Sequence, residues 1–199
     1  FHKNSRIDFL EFKNNFSFIW HNFSLKFIGA LRENIDKLII VPIIGFSFLG
    51  NYALTMQVIA LMSMPNAIFY KYMLTNDSRR VQNKTLKRLY LLGATGLAIV
   101  CSVFLPIIVP DIFPNFTEMG ILQIMSFVLI PKAIVSIKYS EFLGEEKSKP
   151  VFLSAIVGLI SMVTGIAILG SVYGAFGIAI TYVLTTSLMA IFLLIWAKK

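Results

Sequence analysis

Charge is the scarcest thing in this sequence. Of its 199 residues only 14% are Asp, Glu, Lys or Arg, little more than half of the roughly 25% that keeps the surface of a soluble domain wet. Cysteine is nearly absent. The single Cys101 excludes a disulfide scaffold, and its apolar, uncharged surroundings read as those of a small core hydrophobe rather than an activated thiol. The two histidines, His2 and His21, are isolated and make no metal site. Twelve Gly and seven Pro are too few for a collagen-like or low-complexity chain. There is no Gly-rich phosphate loop and no nucleophile beside a histidine and an acid, so nothing points to an enzyme or a bound cofactor.

What fills the chain instead is hydrocarbon. Hydrophobic side chains make up 57% of it and the mean hydropathy is +0.77, which describes an all-α membrane protein whose outer surface meets lipid. A span needs about 20 apolar residues to cross roughly 30 Å at 1.5 Å per residue. Segments at about 52–74, 89–109, 121–140, 151–170 and 174–197 meet that requirement. The apolar run Leu38 to Leu49 is too short by itself, and a lipid-exposed backbone cannot stop at mid-membrane. Extending it back to about 25–48 gives a sixth span and one six-helix bundle over 25–199.

The excess of Lys and Arg falls on alternate breaks. Arg79, Arg80, Lys84, Lys87 and Arg88 follow one span, Lys147 and Lys149 another, and Lys198 and Lys199 the last, whereas the other breaks hold only Asp111 and Glu118. By the positive-inside rule both chain ends are cytoplasmic. The net charge of +8 then reflects topology and an anionic inner leaflet rather than nucleic acid. Residues 1–24 form a linker in which Phe9, Phe12, Phe16, Trp20 and Phe23 recur at helical spacing, continued by Phe27 at the start of the first span, the pattern of an amphipathic helix lying at the membrane interface. The chain opens on Phe1 without a signal peptide, which reads as a chain with an upstream part missing.

Ionisable residues inside spans cost about 2.5 to 3.5 kcal/mol each at the centre and usually face an interior or a water-filled cavity. The first span carries Lys26, Arg32, Glu33, Asp36 and Lys37 on one broad face, with Phe27, Ile28, Leu31, Ile35, Leu38 and Ile39 on the other. Arg32 with Asp36 and Glu33 with Lys37 are four apart and can pair along the helix. Lys132 follows Pro131 in the fourth span, where a kink is expected. Asn66 follows Pro65 in the second, a kink or an interhelical hydrogen bond.

Three ordered motifs carry a resemblance: Ile35-Asp36-Lys37-Leu38-Ile39-Ile40 followed by Gly50-Asn51-Tyr52-Ala53-Leu54; Phe113-Pro114-Asn115-Phe116 with Leu122-Gln123-Ile124; and Leu143-Gly144-Glu145-Glu146-Lys147 followed by Tyr173-Gly174-Ala175-Phe176-Gly177-Ile178-Ala179. Together they resemble the polysaccharide flippases of the multidrug/oligosaccharidyl-lipid/polysaccharide exporter superfamily, departing at Ser171, where that family often has Pro, and at Ile178, where it often has Ala. The resemblance implies the C-terminal half of a 12- to 14-helix plasma-membrane transporter, with an N-terminal six-helix bundle of the same protein as its partner. Its implied substrate is a lipid-linked oligosaccharide with an anionic polyprenyl diphosphate head. Arg32, Lys37 and Lys132 would meet that head, and Glu33 and Asp36 would serve coupling or ion pairing. A related multidrug and toxin extruder, with Asp36 as its cation-binding carboxylate, and a non-transporting membrane scaffold are the alternative readings.

Overall fold

The structure, a computed structural model, describes residues 16, 20, 23–24, 27–30, 36–42, 45–81, 83–114, 116 and 119–198. No strand occurs among them. After helical residues 36–42 the chain breaks at Gly45 (φ 95°), and the helices that follow are α1 (Phe46–Met62), α2 (Met64–Ser78), α3 (Lys84–Ile112), α4 (Met119–Ser126), α5 (Leu129–Gly144), α6 (Ser148–Gly165), a π-helical turn (Ile166–Gly170) and α7 (Ser171–Trp196). The first break therefore lies at Gly45, not near Gly50 as the apolar runs suggest. Gly50 sits inside α1, because leucine- and phenylalanine-rich flanks let a helix run through one glycine at a cost of only about 1 kcal/mol.

Three prolines stand at helix starts, whereas Pro106 and Pro110 lie inside α3. Pro65 stands at the first positions of α2, and Pro131 and Pro150 stand in the first turns of α5 and α6. Their missing N–H groups would be orphans there in any case. So α1 and α2 meet at Ser63 with a bend of 44°, and the span Gly120–Gly144 is interrupted at Phe127–Val128, just ahead of Pro131, where the sequence predicts a local break. Asn83 caps α3 by accepting from the Leu86 amide at 3.0 Å.

Among the described residues, Lys84–Ile112, Gly120–Gly144 and Ser148–Trp196 are long and apolar enough to cross a membrane, and Leu49–Met62 with Met64–Ser78 adds a fourth span if the bent pair counts as one. These are the features of a membrane protein. The 49 residues of Ser148–Trp196 would reach about 74 Å if straight, and they are not straight. Gly174 takes φ 57° and ψ −131°, a conformation open only to a residue without a Cβ. Gly165 packs against Thr181, and a Cβ on Gly177 would stand 1.8 Å from the Leu169 carbonyl. α6 and α7 are thus the two arms of an antiparallel hairpin turning at Gly174, consistent with the break expected between 170 and 174.

The core lies where the hairpin meets the other helices. Ile40, Tyr52, Ile59, Met125, Val128, Met162, Ile166 and Ile178 form its largest buried cluster. A second one joins α3 to α4 and α5 through Ala98, Cys101, Leu105, Leu122 and Leu129, where Cys101 serves as a core hydrophobe. Outward faces are equally apolar. Leu89, Leu92, Val103 and Ile107 of α3 and Leu184, Leu188 and Ile195 of α7 are all exposed, as a hydrocarbon solvent permits.

The loops gather at two ends. At one, Gly50 and Asn51 share a cavity with Phe113 and Phe116, and Gly120 touches the Phe176 ring. At the other, Asp77 touches Gly144 and Phe142, Val151 and Leu193 cluster with Trp196. Arg79, Arg80, Lys84, Lys87, Lys147 and Lys149 all belong to this second end, so the charge asymmetry of the sequence is also an asymmetry of the fold.

Candidate functional site

Asp36 is the most deeply buried carboxyl group among the described residues, with no exposed surface. It points inward while Leu38, two residues on, is 75% exposed, as the helical wheel requires. Tyr52, on α1, is also fully buried. Its hydroxyl donates to Asp36 Oδ2 at 2.5 Å, and the Lys37 backbone N–H donates to Asp36 Oδ1 at 2.7 Å. The phenol of Tyr182, from α7, lies within electrostatic reach of Tyr52 and packs against the same cluster. A carboxyl group from the first helical segment, a phenol from α1 and a second phenol from the hairpin thus converge inside the bundle. Both Asp36 oxygens have donors, which is what makes burial tolerable.

Lys37 is partly buried beside this group, and Lys132, also partly buried, lies one helical turn beyond Val128, which shares the core cluster with Tyr52. Of the site residues expected from sequence, Asp36, Lys37 and Lys132 are therefore placed. Arg32 and Glu33, and with them the Arg32–Asp36 and Glu33–Lys37 pairings, lie outside the described residues. The helix bend at Pro65 and the interhelical bond of Asn66 both occur, with the Tyr90 hydroxyl donating to Asn66 Oδ1.

A second polar cluster closes the basic end. Lys87 Nζ donates to Asp77 Oδ1 at 2.8 Å and Oδ2 at 3.0 Å, and to Glu141 Oε1 at 3.1 Å. Lys138 reaches Glu141 Oε2 at 2.7 Å, and the Ser140 hydroxyl donates to Asp77 Oδ2 at 2.8 Å. This network pins the end of α2 to the start of α3 and the end of α5. Gly144 allows the close approach, since a Cβ there would meet the Asp77 backbone at 2.8 Å. Sequence reading missed it. Asp77 and Glu141 are far apart in the chain, and Lys87 stood among loop charges explained by topology.

No family model, curated protein or solved structure matches this chain.

Proposed function

We propose that this chain is the second half of an exporter that moves a lipid-linked oligosaccharide or polysaccharide precursor across the plasma membrane by alternating access. The observation that carries the reading is the buried contact of Asp36 with Tyr52. It joins the acidic residue and the tyrosine of the first motif on which the resemblance to polysaccharide flippases rests. An ionisable group held inside a membrane bundle by neutral donors is costly to keep and is functional by default.

In this reading six spans form one lobe, the basic end is cytoplasmic, and the substrate path runs near the bilayer midplane between this lobe and an upstream one. Lys37 and Lys132, with Arg32 of the first span, meet the diphosphate head as cations matched to an anion, Arg32 through paired N–H donors. Asp36, with Glu33, balances or couples that charge as the lobes rock. Tyr52 holds the Asp36 carboxyl in one orientation, and no covalent chemistry is assigned.

The test is made in the full-length protein. Asp36→Asn keeps an acceptor for Tyr52 but removes the ionisable group. Export of lipid-linked sugar is expected to be lost in Asp36→Asn, Lys37→Ala and Lys132→Ala while membrane abundance, read by quantitative blotting, stays near that of the parent. Full export in all three would sink the reading.

A further inference from the structure

The two halves of the bent span are held differently. Beyond Ser63, α2 is fixed to its neighbours: Tyr90 of α3 bonds Asn66, Met73 is buried with Tyr90 and Ala133, and Asp77 is bonded by Lys87 of α3 and Ser140 of α5. Before Ser63, α1 packs more lightly on the other helices than any of α2 to α7, and α4 is its main neighbour. Between α1 and the end of α3 lies a cavity of about 380 Å³, walled by Gly50, Asn51 and Leu54 on one side and by Ile112, Phe113 and Phe116 on the other. The bond from the Tyr52 hydroxyl to Asp36 ties α1 to residues 36–42, and Ile40 and Tyr52 share one buried cluster. The joint is Ser63. Its amide is shared between the Ile59 carbonyl at 2.9 Å and the Ala60 carbonyl at 3.1 Å, and its hydroxyl donates to the Ile59 carbonyl at 2.7 Å, a back-bond of the kind that bends helices. Pro65 has no N–H with which to carry the helical ladder across the bend.

We propose that α1 and residues 36–42 swing as one arm about Ser63, closing toward the end of α3, while α2 to α7 stay together as the body of the bundle. Joint, tie and room are each present. Element ends such as Ser63 absorb the change of φ and ψ in a hinge motion. The Asp36–Tyr52 bond makes the two helical pieces move together, and the cavity beside Leu54 leaves space on the side of α3. Gly50 lies roughly 20 Å along α1 from the joint, so a turn of about 10° carries it through about 3 Å. On the body side, the Asp77, Lys87 and Ser140 contacts keep α2 from following. The inference rests on packing and backbone geometry and stands whether or not the chain belongs to a transporter. In an exporter lobe, the arm would carry Asp36 with it.

Distances between paired spin labels in the full-length protein decide it, measured in lipid nanodiscs in a cysteine-free background with Cys101→Ala. Gly50→Cys with Ile112→Cys spans the cavity; a Cβ on Gly50 meets nothing within 4 Å, and Ile112 is exposed. Tyr72→Cys with Leu92→Cys reports on α2 against α3, and Leu38→Cys with Gly50→Cys on the arm alone; Tyr72, Leu92 and Leu38 all face outward. The cavity pair is expected to give a distance distribution roughly twice as wide as either of the others, as a hinge between two rigid pieces requires. Pro65→Ala, which restores the missing N–H, and Leu54→Trp, which fills the cavity, should each narrow it. Both should leave the Tyr72–Leu92 pair unchanged, which reports that the body is folded. A cavity pair as narrow as the others in the parent protein, or one indifferent to both substitutions while the body pair is intact, would overturn the proposal. A broad Leu38–Gly50 distribution would overturn it as well, since the arm would then not be one piece.

Discussion

Two buried aspartates divide this molecule between them. Asp77, 7% exposed, is answered by an ammonium group that contacts both its oxygens and by the Ser140 hydroxyl. Asp36, fully buried, is hydrogen-bonded by a phenol and a backbone amide, both neutral. Asp77 stands at an end of the helices, where water and the other loop charges are near. Asp36 lies within the bundle, where charge is costly. A carboxylate locked to a lysine across three helices is a staple, because its charge is neutralised by the contacts that hold the fold. A carboxyl group whose hydrogen bonds are neutral adds less to the fold than it costs, and this difference is why the proposed role in transport falls to Asp36 rather than Asp77.

The largest effect is expected at the staple. Lys87→Ala leaves Asp77 buried without its cation and removes one partner of Glu141, and breaking a buried pair from one side costs about 3 to 5 kcal/mol. Thermal unfolding of the purified protein in detergent should show a large drop in midpoint, with much less folded material recovered. A variant as stable as the parent would mean that the network is only decorative and that the comparison with Asp36 has no basis.

A matched substitution sharpens the contrast. Asp77→Asn keeps hydrogen-bonding atoms but deprives Lys87 of a charge, for an expected loss of about 1 to 3 kcal/mol. Asp36→Asn keeps an acceptor for the Tyr52 hydroxyl and takes a potential charge out of hydrocarbon. Its stability should stay within about 0.5 kcal/mol of the parent or rise, since insertion scales charge about 2.5 to 3.5 kcal/mol for a central carboxylate. Parallel denaturation curves decide. Equal losses at the two positions would place Asp36 among the structural ion pairs.

These two sites were unequally legible in the sequence. Asp36 is conspicuous because it lies at a depth where helical rise forbids easy access to water, directly before the apolar run Leu38 to Leu49, and periodicity alone turns it inward. The partner Tyr52 was visible as a motif residue, but not the bond, since nothing local says which side chain of the next helix meets Asp36. The hairpin of α6 and α7 was legible because Gly170, Gly174 and Gly177 mark a break between two runs of adequate length. The first break was misplaced at Gly50, since a glycine in a helix and a glycine at a turn look alike until packing chooses between them. The staple was illegible for a different reason. Asp77, Lys87 and Glu141 meet only after α2, α3 and α5 have packed, and each alone resembles an ordinary charge near the end of a span.

The smallest effect tests the other extreme of the comparison, a buried polar group that is uncharged. Thr185 on α7 is 2% exposed, and its hydroxyl has no hydrogen-bond partner among the described residues. Its neighbours show the usual alternative: Thr181 donates to the Gly177 carbonyl at 2.8 Å and Thr186 to the Tyr182 carbonyl at 3.0 Å. An unpaired hydroxyl gains nothing from its burial, so Thr185→Val, which keeps the branched shape, should be neutral or should stabilise by up to about 1 kcal/mol. Thr181→Val, which deletes a formed bond, should instead lose about 0.5 to 1.5 kcal/mol. If Thr185→Val is the more damaging of the two in the same unfolding assay, the Thr185 hydroxyl has a partner in the assembled protein. It would then belong with Asp36 among the polar groups kept in the membrane for a contact beyond the fold itself.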